Sequence, residues 1–554
     1  MEDTAKKQKQ KNEEIVNEIC REFEAMASQR GNLDSHCREI AERIIPGQST
    51  LFQTGQTGGT KGEKRNENIF DSTAAIALGR FSSILDSLLT PRNQTWHRLM
   101  PSDPALNKNR EVRLWFEEAN RLLFKYRYSP TANFSSQNQM NYKALGAFGT
   151  GTMFTDEIAG GGKGLRYRHC HLSQVYFSEN HQGIVDKVHR RYPMSARQAV
   201  QKWGDKTPDA IKTAAKSSDP EKEFQFIHCV KPRQDYDSER LDSKGMPFVS
   251  YYVSFDTKDL MSEGGYNTFP YSVSRYEQMP GEAYGRSPAM DVLPAVKTLN
   301  EQKKTILKQG HRAVDPVLLA HDDGIVDAFS MKPGALNPGG VTADGRPLVH
   351  ALPVGNISIG KELMDDERAV INDAFLVTLF QILVDGGDMT ATEVMERSRE
   401  KGVLLAPTVG RQQSEYLGPM IVRELDVLAR QGALPPMPQA LIEAKGDYRI
   451  EHDSPLSRAQ HAEEASGLMR TIEMTLNVVN VTQNQEPLDH FDWDTIVPEV
   501  SDIQGVPARW MRDPRLVAQI RQGRAQQAQT QQAIQAGPAA AAMVKAAAVA
   551  DKGK

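Results

Sequence analysis

At 554 residues, 39% hydrophobic and 25% charged, the chain is long enough to bury more than one core and too polar for a bundle of membrane spans. Lys and Arg number 67 against 71 Asp and Glu; the resulting formal charge of -4 excludes a protein that grips nucleic acid by broad counterion release, so any DNA contact is expected to be weak or local. Cys20, Cys37, Cys170 and Cys229 lie far apart with no CxxC pair, which argues against a disulfide framework and for small core residues in a reducing compartment.

The N-terminus is charged from Glu2 onward and lacks the apolar core of a secretory signal, so export by that route is not expected. From Lys9 to Arg43, Ile15, Ile19, Phe23 and Met26, then Leu33, Cys37, Ile40 and Ile44, recur at helical spacing, with Gly31 as the expected break between two helices and Pro46-Gly47 as the stop. Residues 53–65 are a Gly/Thr/Lys-rich loop. Its GQTGGTKGEK lacks the Gly before and the Ser or Thr after Lys61 that a phosphate-binding loop needs. Between Asn68 and Leu89 the set Phe70, Ala74, Ala77, Leu78, Phe81, Ile84, Leu85 and Leu88 predicts a core helix stopped by Pro91. Helices over Arg110–Tyr128 and Phe134–Phe148 follow; then Gly146, Gly149 and Gly151 mark a change to a mainly β region from 150 to 280. Within it Val249, Tyr251, Val253 and Phe255 share one strand face.

A long basic helix is predicted over 290–312, where Lys297, Lys303, Lys304, Lys308 and Arg312 oppose Asp291 and Glu301, a net of three positive charges. Residues 313–358, rich in Pro and Gly with apolar runs at 316–320 and 347–352, form a small loop-and-strand module. The helix predicted from Gly360 to Val384 sets Lys361 and Arg368 against Glu362, Asp365, Asp366, Glu367 and Asp373, a net of three negative charges. Its apolar end, Leu376 to Val384, is far shorter than the ~20 residues of a membrane span. Asp385-Gly386-Gly387-Asp388 makes an acidic turn before a helix with a Thr390/Glu393 capping box. Further helices are expected over Thr408–Gln431 and Ser457–Asn480, and the Gln/Ala-rich tail makes a helix only in solution-exposed or assembled form.

Nothing in this order amounts to an active site. His169-Cys170-His171 puts two imidazoles on one strand face, yet no further ligands sit at finger spacing; Cys229 with His228 is distant in sequence. Asp365, Asp366 and Glu367, with Asp322 and Asp323, invite a two-metal nuclease reading, but adjacent helical positions diverge and acids suit a helix start. GxSxG, HExxH and a placed GxGxxG are absent, so no catalytic, cofactor-binding or metal residue is assigned, and no cofactor is expected.

The order of segments resembles the portal, or head-to-tail connector, proteins of short-tailed bacteriophages. The similar stretches are Ala75 to Leu99, with Leu88-Leu89-Thr90-Pro91 and Gln94-Thr95-Trp96-His97-Arg98-Leu99; Leu145 to Phe154; Tyr284-Gly285-Arg286-Ser287-Pro288; Ala374-Phe375; and Met389 to Val394, running on to Leu417-Gly418 and Pro435-Pro436-Met437-Pro438. The collinearity covers roughly residues 10 to 500.

The resemblance implies an α+β, mainly helical portal fold with a β-rich wing, and a non-enzymatic ring, usually of twelve copies, at one capsid vertex. Through it double-stranded DNA passes during packaging and ejection. Carried onto this chain, it implies N-terminal helices and a loop at 1–64, a wing at 65–289, stem helices at 290–312 and 360–384 around a clip at 313–359, and a channel loop at 385–389 presenting Asp385, Gly386, Gly387 and Asp388 to DNA. Wing helices at 390–454, a crown at 455–511 and a helical barrel or disordered tail at 512–554 complete it. The implied partners are further copies of the chain, DNA held non-specifically, the terminase large subunit, a tail adaptor, and the major capsid and scaffolding proteins, in a virion assembled in the host cytoplasm and without a membrane. Alternating charge around such a ring pairs Lys303, Lys304 and Lys308 with Asp365 and Asp366 of a neighbour. The alternatives are an assembly scaffold or other structural virion protein and, more remotely, a metal-dependent nuclease.

Overall fold

The computed structural model describes residues 2–52, 66–158, 160–320, 330–353, 357–384, 405–452, 455–483, 486–503, 506, 508–512 and 516–528. The chain divides into two compact units, Met1–Gln94 with Leu123–Ala433, and Thr95–Leu122 with Leu434–Lys554.

The first unit opens with α1 (Glu2–Gln29) and α2 (Gly31–Ile44). The break between them falls at Arg30 rather than Gly31. Arg30 is 2% exposed; its guanidinium donates to the Leu172 and Val175 carbonyls, pairs with Asp34 at 2.9 Å and lies over the Tyr176 ring. A buried cation's hydrogen bonds fix this turn, not glycine's conformational freedom. Helix α3 (Thr73–Leu89) starts later than the apolar pattern alone predicts, because Asp71 accepts from the Thr73 amide at 2.9 Å and sets the first turn. Its buried face, Ala74, Ala77, Leu78, Phe81 and Leu85, follows the helical spacing.

Strand β1 (His97–Pro101) and helix α4 (Arg110–Arg127) come next, the unit boundary falling within α4; α5 (Phe134–Phe148) follows. Eight strands then run between residues 150 and 275: β2 (Thr150–Glu157), β3 (Leu165–His169), β4 (Val175–Glu179), β5 (Val185–Ser195), β6 (Glu223–Pro232), β7 (Phe248–Ser254), β8 (Asp259–Tyr266) and β9 (Tyr271–Arg275). They make an antiparallel five-stranded meander, β4-β5-β6-β7-β8, and a three-stranded sheet, β3-β2-β9. Two short helices, α6 (Ala196–Trp203) and α7 (Asp209–Lys216), interrupt the β region between β5 and β6. Both are absent from the sequence reading, although Ser195 and Gln198 form a capping box that signals α6.

Strand alternation divides the meander's two faces. On one, Ile227, Cys229 and Val253 pack against Val16, Ile19, Cys20 and Phe23 of α1. On the other, Phe226 and Tyr192 meet Ala196, Ala199 and Ile211 near α6 and α7, while Val188 and Val230 join Tyr271 and Val273 of the second sheet. All four cysteines are buried and unpaired by disulfides.

The unit continues with a two-residue pair, β10 (Glu277–Gln278) and β11 (Gly285–Arg286), the turn α8 (Pro288–Asp291) and the long α9 (Leu293–Val314). The apolar runs of the following module pair with each other as β12 (Leu318–Ala320) and β13 (Val349–Ala351). Then come α10 (Ile357–Ala374), α11 (Val377–Val384), α12 (405–411), a π-helical stretch Gln412–Leu417, and α13 (Gly418–Arg430).

In the second unit β1 pairs with β14 (Tyr448–His452), preceded by α14 (Gln439–Glu443). The Trp115 indole donates to the Pro435 carbonyl at 3.1 Å. The 28-residue α15 (Pro455–Thr482) and α16 (Trp493–Ile503) follow. The architecture is α+β. Among the described residues no helix is long and apolar enough to cross a membrane.

Candidate functional site: the paired long helices and their surroundings

The long helices start from a tightly fixed base. The Ser287 hydroxyl caps α8 by accepting from the Met290 amide at 3.1 Å and donates to the Ala147 carbonyl at 2.9 Å. Leu293, Val296, Leu299 and Asn300 are buried at the start of α9. Asn300 also holds the chain before α3, accepting from the Phe70 amide at 2.7 Å and donating to the Asn68 carbonyl at 2.9 Å. Lys297 pairs with Glu39 of α2. From Glu301 to Val314 no residue of α9 is buried. One half of the helix is therefore rooted in the unit and the other half projects with little cover.

Helix α10 packs beside α9 through close contact at Gly360, where an added Cβ would lie 2.6 Å from the Ile306 side chain. Met364 and Ile371 bury its inner face, and Arg368 clamps it by pairing with Asp71 and Asp365, each at 2.7 Å. Arg368 thereby occupies one of the predicted acids within the chain. Lys304 lies 3.7 Å from Glu301 on its own helix, Lys303 is half-buried, and Lys308 and Asp366 are exposed. None of the three lysines pairs with Asp365 or Asp366 inside the chain among the described residues. Lys308 and Arg312 instead border a groove of about 290 Å³ with Val317 and Leu352 of the β12–β13 module.

The helix predicted as continuous from Gly360 to Val384 is broken. Leu376 adopts φ 60°, a left-handed conformation that costs a non-glycine residue on the order of 1 kcal/mol. The cost is met because Phe375 and Val377 on either side are buried, with Phe375 against the Phe81 ring of α3. No Gly or Pro marks this break, so the apolar pattern runs through it. The acidic turn Asp385-Gly386-Gly387-Asp388 and the Thr390/Glu393 capping box lie outside the described residues, as do the 53–65 loop and Asp322 and Asp323.

His169 and His171 are held by different partners. His169 ends β3, where its backbone amide donates to Gln137, while His171 turns away to cap the next turn through Ser173 and packs edge-on against Phe148. Burial holds their imidazoles down at about 4 and about 3. A cluster the sequence does not reveal is Glu22, His189 and Cys229, whose ligand atoms lie within 4.8 Å of one another. Lys187 and Lys231 approach the same Glu22 carboxylate at 3.2 and 3.4 Å, and supply the positive charge a cation would bring. Burial raises the Glu22 carboxyl, but the hydrogen bond from His189 and the two lysines outweigh it and hold it at about 2; burial pushes the Cys229 thiol up to about 12. The cluster is an ion-paired latch of α1 onto the sheet.

Two further buried polar contacts fasten α13 and the π stretch. Glu424 accepts from Arg127 on both oxygens and from the Tyr167 hydroxyl at 2.6 Å, all three side chains fully buried. The π turn directs Gln412 and Glu415 to Arg275 of β9: the Gln412 amide donates to its carbonyl at 2.8 Å, and Glu415 pairs with its guanidinium at 2.9 Å. These groups are structural. The exposed half of α9, its neighbour α10 and the exposed faces of α15 are among the surfaces open to other molecules in the described chain.

Comparison with known proteins gives these surfaces a context. The profile of a family described as "Bacteriophage head to tail connecting protein" matches residues 16–511. A probable portal protein of Bordetella phage BPP-1 is 29% identical over 517 residues, 92% of this chain and 90% of the relative. A portal protein of Salmonella phage epsilon15 is 28% identical over 535 residues, 94% and 93% of the two chains. Among solved structures, a chain from the virion of a native gene transfer agent particle overlaps 78% of this chain at 12% identity with a TM-score of 0.36, too loose a likeness to bear on the fold.

Proposed function

This chain belongs to the bacteriophage head to tail connecting protein family, and from that premise we propose that it is a portal subunit: a structural, non-enzymatic component of the virion at the capsid vertex where the tail attaches. The observation that carries this reading is the near end-to-end match to two phage portal proteins. Copies of the chain form a closed ring, twelve in the usual arrangement, whose hole passes double-stranded DNA during packaging and ejection.

In this reading 290–312 and 360–384 are the stem and 313–359 the clip, which meets the terminase large subunit during packaging and a tail adaptor afterwards. Residues 1–64 are N-terminal helices and a loop, 65–289 and 390–454 the wing, 455–511 the crown, facing the head interior, and 512–554 its continuation. Scaffolding and major capsid proteins surround the wing. The rooted base and projecting end of α9 support a stem that is anchored in its own subunit and open to a neighbour. Lys303, Lys304 and Lys308 facing Asp365 and Asp366 of the next copy complete the stem contact, with Lys308 and Asp366 exposed for it. Asp385 and Asp388 repel phosphate while Gly386 and Gly387 let the channel loop shift as DNA slides. The chain's formal charge of -4 agrees with a conduit that does not hold DNA.

The reading is tested in a phage carrying this gene. Deleting it yields heads that lack packaged DNA and tails, and supplying the chain in trans restores both; full heads in its absence would refute the role.

A further inference from the structure

Helix α15 has two apolar stripes, not one. At about 100° per residue, Leu468, Met469, Ile472, Leu476 and Val479 fall within an arc of roughly 100°, and Met474, Val478 and Val481 within a second arc of roughly 60° whose centre is about 160° away. Asn, Thr and the helix's two charges in this stretch, Arg470 and Glu473, occupy the gaps. The first stripe is partly covered; Leu468, Ile472 and Val479 are half-buried. The second is open, with Met474 69%, Val478 50% and Val481 85% exposed. Nothing within the described chain covers it.

The placement of the stripes selects the occupant. A single apolar stripe is satisfied by one neighbour, and a two-fold pair buries the same stripe on both copies while leaving the other in water. Two stripes on opposite sides are both covered on every copy, by one kind of contact, when the second stripe of each meets the first stripe of the next. That is a heterologous contact, which closes into a ring when its rotation allows. The charges agree: Arg470 borders the second stripe and Glu473 the first, on the same side of the helix. Helices standing side by side in parallel would bring one copy's Arg470 toward its neighbour's Glu473. Neither residue has an ion pair within the described chain.

We propose that α15 is a contact between neighbouring copies, Met474, Val478 and Val481 of one packing against Leu468, Ile472, Leu476 and Val479 of the next. This rests on the ring reading above and names one of its interfaces. The sequence shows the pattern plainly, but a single-stripe search passes over it because two opposed stripes cancel in any one-sided measure of amphipathicity.

The test uses the full-length chain, whose native cysteines are buried. Ile472→Cys and Met474→Cys, which differ by only about 3 Å in height along parallel helices, are made singly and together, and assembled material is oxidised mildly and run under non-reducing conditions. The double variant is expected to give a covalent ladder from dimer to full ring, with each single variant at least tenfold less cross-linked. Dimers from Met474→Cys alone, as abundant as from the double variant, would mean a two-fold contact and overturn the proposal. So would rings by electron microscopy with no ladder. A wild-type chain that forms no rings is a separate result that removes the ring reading itself. A second variant guards against misfolding by the cysteines: Met474→Glu with Val481→Glu is expected to raise the concentration for half-assembly at least tenfold while the circular dichroism of the free chain is unchanged. Unaltered assembly would refute the contact.

Discussion

Arg127 and Glu424 are an ion pair removed from water, with the Tyr167 hydroxyl on the same carboxylate. Desolvating both charges is costly, and their attraction offsets that cost only while each keeps its partner. Glu424→Gln leaves the guanidinium buried against a neutral amide, so we expect a loss of about 3–5 kcal/mol, read as a fall in the denaturant midpoint. A loss under about 1 kcal/mol would show that water reaches the pair. The buried histidines predict a pH dependence. His169 and His171 are held at about 4 and about 3, below the ordinary 6.5, so between those values the unfolded chain binds more protons than the folded one. Their contribution is whole above pH 6.5 and is lost as the pH falls through that window. Glu22, held at about 2 against an ordinary 4.5, adds a loss that begins below pH 4.5. The thermal midpoint should therefore fall steadily from pH 7 to pH 4, and His171→Asn should flatten the slope by up to about 1.4 kcal/mol per pH unit. An unchanged slope in that variant would contradict the assignment.

Among elements, the junction of α5 and β2 shows what the glycines there do. Gly149 caps α5 at φ 73°, and a Cβ on it would lie 2.3 Å from the Gly285 carbonyl oxygen. Gly146 allows Phe81 of α3 to lie against α5. Gly149→Ala meets both an unfavourable backbone and another backbone, neither of which yields as a side chain does. We expect a loss of at least ~2 kcal/mol or insoluble protein, measured against Gly47→Ala, where nothing is within 4 Å. This junction was legible in sequence as a run of glycines. So were α3, α5, α9 and the strand faces, because one periodicity dominates each. What escaped depends on contacts distant in sequence: the Arg30 turn is set by carbonyls of Leu172 and Val175, the Leu376 break by its buried flanks, and the π turn by Arg275. The Glu22 latch joins α1 to β5 and β6, and no spacing announces it.

At the scale of the whole molecule, the family was legible from collinear segments with no catalytic signature among them, and the match over residues 16–511 agrees. The charge pairing proposed between copies rests in sequence on opposite signs on two helices; within the chain Arg368 takes Asp365 and Glu301 lies near Lys304. Reversing Lys303, Lys304 and Lys308 to Glu together sets like charges against Asp366 of a neighbour. Ring yield in native mass spectra should fall at least several-fold while the free chain stays folded; undiminished yield would remove these residues from the interface.

In the proposed role, copies of this chain close into a ring with a passage through it. Single-particle electron microscopy of the purified protein, with its native mass, tests this most directly. Closed rings with a central hole and a mass that is one integer multiple of 61.7 kDa are expected. A monodisperse monomer or dimer at concentrations where rings should form, or open-ended polymers of varied length, would contradict it.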